Sequence, residues 1–569
     1  MVAKIREHKF TYAFFALMGL LFLFTRLFKI MSIPDGMHID EVSMGYNVWS
    51  LSNFGTDRYG VSYPVYFDNA GSGQSSLYVY VAVLLSKIFG YSVFLLRFVS
   101  VLFGAALLVF ATLAAYELFN LRAAYITSAI VVIMPVFIMG ERWAFDCNTL
   151  LPMFAMLLYF GAKLCKTGEV KYAIWSGISI SLCLYSYILS FIILPVFLLC
   201  AVIYLLASKK VTFRNTLITA LSGLILSVPI LLYAGVVFAS GVMHLRHMDD
   251  EAWVNAFDLT FNIGPMTITD ASFRRMAELG VHGVSLKSFF SALYKITSYD
   301  NYEFVATEKY GTFYSNKLIG LSFSQLLIIM AFVVMIVCAV QKIIKKEFSS
   351  ELVLLFAGVA TLSPMFFTEG FAVYRYGLIF VIFALMLGSM FDKALEKEIR
   401  IPCAITALAF LLNFGSYNIY LFGGGFSDDY TTMSYFDSDL LHLCEEMNVD
   451  AYQDYDIYID DKMSYNAGLI ALYAMKVAPN EVVEKVENMD EAGMTIGNIH
   501  IGIPAKVDTM QKAIYIIRDL NKGGSLYTDS REPDQILYNL LEDHSTEKVL
   551  QNRGTPMVEK YDYKVYVLN

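Results

Sequence analysis

Two acidic clusters contain the side chains best suited to chemistry. The first follows the opening apolar run and contains His38, Asp40 and Glu41, with Asn47 close behind. A carboxylate at a membrane surface can act as a general base that removes the proton of a substrate hydroxyl. Asp40 and Glu41 are therefore candidate catalytic residues, and His38 and Asn47 are candidate substrate-binding residues.

The second cluster lies between two later apolar runs. It reads Glu141-Arg142-Trp143-Ala144-Phe145-Asp146-Cys147-Asn148, so acids, a guanidinium and an amide lie within eight positions. The planar fork of an arginine side chain matches a phosphate or a carboxylate. Asp146 is therefore a candidate catalytic acid, and Arg142 and Asn148 are candidate substrate-binding residues.

Both clusters also have a purely structural explanation. The helix dipole favours acids at a helix N-terminus, which would account for Asp40 and Glu41. Asp146 directly precedes an apolar run and is a suitable N-cap for it. The residue types alone leave both explanations open.

Lone basic residues form a third set of candidates. His244, Arg246 and Arg375 are candidate substrate-binding residues, although such residues contact lipid headgroups more often than ligands. The seven cysteines form no CxxC pair and no zinc spacing, and the stretch 71–76 lacks the lysine of a phosphate-binding loop. The sequence therefore predicts neither a metal nor a cofactor.

The composition places these residues in a membrane protein. Hydrophobic residues make up 57% of the 569 residues and charged residues only 16%, and the mean hydropathy is +0.55. A soluble domain has about 25% charged residues. These values exclude a soluble protein for most of the chain, and also a disordered or nucleic-acid-binding protein.

Eleven apolar runs are predicted to cross the membrane, since a spanning helix needs about 20 residues. They lie near residues 10–30, 98–116, 123–140, 149–164, 172–187, 188–207, 216–239, 318–340, 351–367, 373–391 and 401–421. The apolar segment 75–89 has only 15 residues. We therefore expect it to lie in the membrane interface.

Charge determines the predicted orientation of this multi-pass cell-membrane protein. With the N-terminus in the cytoplasm, the inner loops collect the lysines and arginines, as the positive-inside rule requires. The long loops 32–97 and 240–317 then lie outside, together with both acidic clusters. Candidate chemistry is thus predicted on the outer face, where a transferase needs an activated group delivered on a lipid.

The tail differs from the rest in composition. Residues 422–569 contain 12 Lys or Arg and 26 Asp or Glu. Short β-type runs at 456–459, 499–503, 513–517 and 564–568 are combined with predicted helices at 463–476 and 534–542. The sequence thus predicts a transmembrane domain at 1–421 and an extracytoplasmic α/β domain at 422–569. Cys147 and Cys444 are predicted to face water.

An ordered set of short motifs resembles a known family. The set comprises Asp40-Glu41, Gly45-Tyr46, Gly55-Thr56-Asp57, Tyr59-Gly60, Pro64, Gln74, Leu77-Tyr78, Phe89-Gly90, Arg97, Arg142 to Asp146, Asn148 and Pro152. In this order they resemble the bacterial glycosyltransferase family 39 proteins of the GT-C superfamily. That family is similar to protein O-mannosyltransferases and aminoarabinose transferases. The resemblance covers residues 10–200 well and extends loosely to 421.

The resemblance implies a GT-C fold and an inverting sugar transfer from a polyprenyl-phosphate sugar on the outer face of the membrane. It implies that Asp40 is the general base and Asp146 the second acid of the site, and it adds Gln74 as a substrate-binding residue. Arg246 and Arg375 match loosely the residues that bind the donor phosphate. Aminoarabinose transferases have a Lys-Pro-Pro type motif where this chain has Gln74-Ser75-Ser76, so the sugar is left open.

The expected partners are a polyprenyl-phosphate sugar, membrane lipid and an acceptor that is a glycan, a polymer or a protein. Neither a metal nor nucleic acid is expected. The alternative from another functional class is a flippase or exporter of a lipid-linked glycan, with the outer clusters as a vestibule for the headgroup. A ligase that transfers a whole glycan is a second enzymatic alternative.

Overall fold

The computed structural model describes residues 9–69, 72–246, 260–269, 284–297, 324–367, 373–426, 438–447, 453–460, 467–483, 495–504, 510–518, 546–550 and 563–568. The chain divides into two units. The first comprises Met1–Ile30 and Pro64–Gly423, and the second comprises Met31–Tyr63 and Gly424–Asn569. The first part of the predicted outer loop 32–97 thus belongs to the same unit as the tail.

Helices account for most of the described chain. Up to residue 422 they are α1 (Lys9–Leu27), α2 (Ile39–Asn53), α3 (Ser76–Phe89), α4 (Val93–Leu118), α5 (Leu121–Ile133), α6 (Pro135–Gly140), α7 (Cys147–Thr167), α8 (Val170–Ser186), α9 (Ser190–Ala207), α10 (Phe213–Arg246), α11 (Leu286–Thr297), α12 (Ser324–Ile344), α13 (Ser350–Leu362), α14 (Gly377–Glu396) and α15 (Arg400–Phe422). Two antiparallel hairpins lie among them, β1 (Tyr66–Asn69) with β2 (Ser72–Ser75) and β3 (Thr260–Ile263) with β4 (Met266–Thr269).

The predicted spans correspond to helices. Among the described residues, eight helices are long and apolar enough to cross a membrane: α1, α4, α7, α9, α10, α12, α14 and α15. The other three predicted spans are α5 continued by α6, the 17-residue α8, and α13 continued by a 3-10 turn at Ser363–Phe366. The segment 75–89, which was predicted to lie in the interface, forms α3. Its 14 residues span only about 21 Å.

Arg26 at the end of α1 compensates for a break in the third predicted span. Pro135 has no N–H, so α5 ends before it and the carbonyl of Val131 lacks its helical partner. The buried Arg26 guanidinium donates to the carbonyls of Val131 and Val132, at 3.2 and 2.7 Å. Its Nε lies 2.7 Å from the buried carboxylate of Glu141. A proline that would leave a carbonyl unpaired in lipid is thereby accommodated.

Arg142 provides hydrogen-bond donors for the carbonyl groups at the end of α1 itself. The last carbonyls of a helix have no N–H partner within the helix. The fully buried Arg142 guanidinium donates to the carbonyls of Thr25, Arg26, Phe28 and Lys29 at 2.8 to 3.1 Å. Segment 141–142 and the end of α1 therefore hold each other in place.

Gly104 on α4 leaves the space that Glu141 occupies. A Cβ added at Gly104 would lie 2.5 Å from the Glu141 Cδ. We predict that Gly104→Ala displaces this carboxylate and leaves Arg26 buried without its counter-charge. Breaking a buried ion pair costs about 3–5 kcal/mol, so the variant should melt at a clearly lower temperature in detergent.

The matched control is Gly19→Ala. Gly19 lies inside α1 with open space around its Cα, so alanine there should preserve or slightly raise stability. Equal melting temperatures for Gly104→Ala and Gly19→Ala would contradict the packing role of Gly104.

A group of ion pairs lies at the end of the helices that is opposite to the Arg26–Glu141 pair. The pairs are Lys163 and Lys166 with Glu117, Lys342 and Lys393 with Glu351, and Arg122 with Asp392. All of these lysines and arginines belong to loops or helix ends that the sequence analysis assigned to the cytoplasmic side. The structure thus places these basic residues at one end of the helices. The side of the membrane on which this end lies stays a prediction.

The two long predicted outer loops meet within the first unit. The Val65 N–H donates to the Thr267 carbonyl at 3.3 Å, which joins the start of β1 to β4. Val65 and Tyr66 pack with Ile230, Tyr233 and Ile268 in one buried apolar cluster. Hairpin β1–β2 therefore rests on α10 and on hairpin β3–β4.

The second unit contains a mixed sheet. After residue 422 the elements are α16 (Ser438–Met447), β5 (Asp456–Ile459), α17 (Ala467–Ala474), α18 (Pro479–Val483), β6 (Thr495–Ile496), β7 (Ile499–Ile501), β8 (Ala513–Arg518), β9 (Thr546–Leu550) and β10 (Tyr563–Leu568). The strand order is β6-β7-β5-β8-β10-β9, with β5 parallel to both β7 and β8. All four predicted strands are present. The predicted helix 463–476 appears as α17, and the one at 534–542 lies outside the described residues.

The prediction that Cys147 and Cys444 face water is wrong. Both are buried, because each lies on the apolar face of a helix rather than in a loop. Burial raises the pKa of the Cys444 thiol to about 12. Neither thiol is therefore suited to labelling from solution.

Helix α2 packs against the tail part of the second unit. The Tyr46 hydroxyl donates to the carbonyl of Val477 at 2.6 Å, just beyond α17. The Lys476 ammonium lies 3.7 Å from the centre of the Tyr473 ring and 5.9 Å from that of Trp49. The helix that carries Asp40 and Glu41 is thus supported by residues more than 400 positions away.

Lys476 makes this packing sensitive to pH. Burial lowers its pKa from 10.5 to about 8, with Glu445 opposing the shift. Because the folded-state pKa lies below the unfolded one, the unfolded chain holds the extra proton between about pH 8 and 10.5, and stability rises with pH in that window. We predict that Lys476→Met melts at a higher temperature than the unaltered protein at pH 7, and that this difference shrinks towards pH 10. A difference that stays constant from pH 7 to 10 would contradict the buried charge.

Candidate functional site

The N-terminus of α2 separates two neighbouring carboxylates. The His38 Nδ1 accepts a hydrogen bond from the Asp40 N–H at 3.1 Å, and the Glu41 carboxylate accepts from the His38 N–H at 3.2 Å. This is a capping box, which satisfies N–H groups that a helix start leaves unpaired. Glu41 is completely buried, whereas the Asp40 side chain keeps 22% of its exposure.

These contacts assign different roles to the three residues. Glu41, predicted to be catalytic, and His38, predicted to bind substrate, both cap the helix instead. The His38 Nδ1 lies 3.6 Å from the Asp40 carboxylate, but a nitrogen that accepts from an N–H carries no proton. The Glu41 side chain has no exposed area, whereas the Asp40 side chain keeps 22%. Asp40 is thus the carboxylate of the pair that a substrate can reach.

Asn47 holds the turn that follows α2. Its Oδ1 accepts from the Arg58 N–H at 3.4 Å, and the Arg58 guanidinium donates to the Ser43 hydroxyl at 2.9 Å. Asp57 accepts from the N–H groups of Tyr59 and Val61 at 2.9 Å each. The Asn47 Nδ2 is buried and has no hydrogen-bond partner among the described residues, so both N–H donors of this amide group are left for a ligand.

The other acidic cluster meets hairpin β1–β2. The Asp146 carboxylate accepts from the Ser75 N–H at 2.8 Å, at the point where β2 passes into α3. Asp146 stands at the N-cap position of α7, but its side chain makes no capping hydrogen bond there. The capping explanation is therefore wrong for its side chain, which instead ties hairpin β1–β2 to the segment after α6.

Gln74 lies in the same hairpin, opposite Phe67. Its side chain is buried, and its Oε1 has no hydrogen-bond partner among the described residues. Asp68 and Asn69 on β1 are buried as well. The sequence analysis did not single out either residue. The signal was a polar pair directly after the apolar Val65-Tyr66-Phe67.

Tyr66 is another residue that the sequence analysis did not single out. Its ring stacks on Tyr233 with the ring centres 4.8 Å apart. Burial, followed by the neighbouring Tyr233 and the Asp146 carboxylate, holds the pKa of Tyr66 well above its ordinary value. The phenol therefore stays protonated at neutral pH and keeps its O–H as a donor.

Arg142 and Asn148 have structural roles. Arg142 was predicted to hold a phosphate, but its guanidinium is buried against the carbonyls that end α1. The Asn148 side chain donates to the carbonyl of Gly140 and closes the turn between α6 and α7. Neither side chain presents to solvent the groups that the sequence analysis assigned to a substrate.

The remaining candidates lie in different places. The backbone of His244 and Arg246 forms the last turn of α10, and their side chains lie outside the described residues. Arg375 is exposed in a 3-10 turn that precedes α14. Asp40 and Glu41 belong to the second unit, and Asp146 and Gln74 belong to the first. Among the described residues no three His, Cys, Asp or Glu side chains are grouped to hold a metal ion.

Comparisons with known proteins address the fold. Residues 74–233 match the sequence model of the family described as dolichyl-phosphate-mannose-protein mannosyltransferase. No curated protein matches the chain significantly.

Solved structures match over a much longer part of the chain. ArnT from Cupriavidus metallidurans bound to undecaprenyl phosphate is 10% identical, with a TM-score of 0.53 and 98% of each chain covered. Its apo state is 12% identical with the same TM-score and coverage. The Archaeoglobus fulgidus oligosaccharyltransferase, tethered to an acceptor peptide, is 15% identical with a TM-score of 0.50. It is matched over 83% of this chain and 64% of its own length. The chain therefore has the GT-C fold of these membrane proteins, as its sequence predicted.

Proposed function

We propose that this protein is a membrane glycosyltransferase that transfers a sugar, a hexose, from a polyprenyl phosphate to a cell-surface glycan, polymer or protein. The observation that carries the proposal is the separation of two adjacent carboxylates, in which Glu41 is buried in a helix cap and Asp40 is partly exposed. The proposal is supported by the fold, because one similar structure holds undecaprenyl phosphate. The partial match to the mannosyltransferase family points to the same class of donor.

The proposed step is a single displacement. The acceptor hydroxyl gives its proton to the Asp40 carboxylate while its oxygen forms a bond to C1 of the sugar. The bond from C1 to the phosphate oxygen breaks, and its electron pair leaves with the polyprenyl phosphate. Attack from the face opposite the phosphate inverts the configuration at C1. We assign the charge on the leaving phosphate to Arg246 and Arg375.

We also propose roles for Asp146 and Gln74 of the first unit. We assign Asp146 to the acceptor, with its position set by the Ser75 N–H. The free Gln74 Oε1 and the Asn47 Nδ2 are the proposed hydrogen-bonding groups for sugar or acceptor hydroxyls. We further propose that the reaction takes place on the outer face of the cell membrane, that the N-terminus is cytoplasmic, and that neither a metal nor a cofactor takes part.

Asp40→Asn is expected to lower the transfer rate at least 100-fold, because a general base contributes about 10²–10⁴-fold. The partly exposed carboxylate makes little contribution to folding, so expression and melting temperature should be unchanged. Transfer is measured from a labelled polyprenyl-phosphate sugar to cell-envelope acceptors. Asp35→Asn is the matched control, since Asp35 is another partly exposed acid of the same segment, and it should retain full activity.

The two outcomes that contradict the proposal are distinct. Activity of Asp40→Asn within a few-fold of the unaltered protein would remove Asp40 as the base. Movement of intact lipid-linked glycan across the membrane, unaffected by the substitution and without transfer, would identify the protein as an exporter.

Asp146 is tested by comparing two substitutions. In Asp146→Asn the side-chain oxygen can still accept from the Ser75 N–H, whereas Asp146→Ala loses that bond. We predict that both variants lose at least ten-fold in kcat/KM for the acceptor, and that only the alanine variant also loses about 1 kcal/mol of stability. Full activity of Asp146→Asn would show that Asp146 acts only by holding the hairpin.

A further inference from the structure

A cavity of about 440 Å³ lies at the opposite end of the first unit from hairpin β1–β2. The distance between the cavity and the hairpin follows from helix α7, since Asp146 precedes its first turn and Lys166 belongs to its last turn. Their separation of 20 positions corresponds to about 30 Å along a helix. The cavity is therefore separate from the proposed site.

The walls of the cavity are apolar. They come from α7, α9 and neighbouring helices, and include Leu157, Phe197, Ala201 and Leu205. Apolar cavities do not retain water. In a membrane, a cleft of this size between helices is filled by hydrocarbon, and its volume lies in the range that holds a small-molecule ligand.

The mouth of the cavity is basic. Lys166 and Lys210 line it. Glu117, the one acid among the described residues that line the cavity, is shared between Lys163 at 2.6 Å and Lys166 at 3.0 Å. The Lys210 ammonium lies 5.2 Å from the centre of the Phe348 ring and pairs with no carboxylate among the described residues. The mouth thus has a net positive charge beside an apolar pocket.

We propose that this cavity binds one anionic glycerophospholipid, with an acyl chain between α7 and α9 and the phosphate headgroup at Lys166 and Lys210. Basic pockets between membrane helices are suited to anionic headgroups. Each CH₂ group of an acyl chain that is buried in the apolar cavity strengthens binding. The acyl chain of the lipid fills the cleft between α7 and α9. Its headgroup covers the cleft at the end where Glu117 pairs with Lys163 and Lys166.

The test is a titration of the purified full-length protein in detergent, followed by native mass spectrometry. Phosphatidylglycerol and phosphatidylcholine with identical acyl chains are compared. We expect phosphatidylglycerol to bind more tightly. We expect Lys210→Gln to weaken its binding about five-fold, as for one lysine near an anionic surface. Lys345→Gln is the matched control, because Lys345 is an exposed lysine at the same end that does not line the cavity.

A second variant tests the acyl chain. Ala201→Phe places a ring in the cavity and should weaken both lipids equally; if it fails to fold, the surface change Lys210→Gln still decides. Equal binding of the two lipids, with no effect of Lys210→Gln, would overturn the proposal. Displacement of phosphatidylglycerol by undecaprenyl phosphate would overturn it as well, since the cavity would then take the donor lipid. Both results are independent of whether the protein transfers a sugar.

Discussion

The C-terminal end of α1 depends on two buried guanidinium groups. A helix that ends near a membrane surface leaves carbonyls unpaired, and Pro135 leaves another in a neighbouring span. Arg142 and Arg26 satisfy these carbonyls, and Glu141 balances the charge of Arg26. Because Arg142 is only four positions before Asp146, the same contacts fix the start of the segment that carries this acid. The position of Asp146 is therefore a consequence of how α1 is terminated.

A division of roles between acids recurs in the two acidic clusters. Glu41 is used to cap α2, and Asp40 stays partly exposed at the first turn of this helix. Glu141 is used to neutralise Arg26, and Asp146 accepts a hydrogen bond from the hairpin. In each cluster one acid thus stabilises the fold as a buried group, and the other is partly exposed. An acid on a capped helix is more precisely positioned than one on a free loop.

Much of the fold could be predicted from the sequence. Apolar runs of about 20 residues identify membrane helices, since each backbone polar group in lipid needs a partner within the helix. The short strands of the tail were identified by their β-branched and aromatic residues, as in Ala513–Arg518. The sequence does not show that 31–63 belongs to the same unit as the tail, because that depends on long-range contacts such as Tyr46 with Val477. Arg142 was misinterpreted because a guanidinium suits carbonyl oxygens and phosphate oxygens equally well.

The proposed reaction is a single displacement at C1 of the sugar that a polyprenyl phosphate carries. The most direct measurement uses the purified protein in lipid nanodiscs with an isotope-labelled hexose on undecaprenyl phosphate and cell-envelope acceptors. NMR then gives the anomeric configuration of the sugar in the product. A single displacement predicts inversion at C1 and release of one undecaprenyl phosphate for each sugar transferred. Retention of configuration, or a sugar that stays on its lipid, would contradict it.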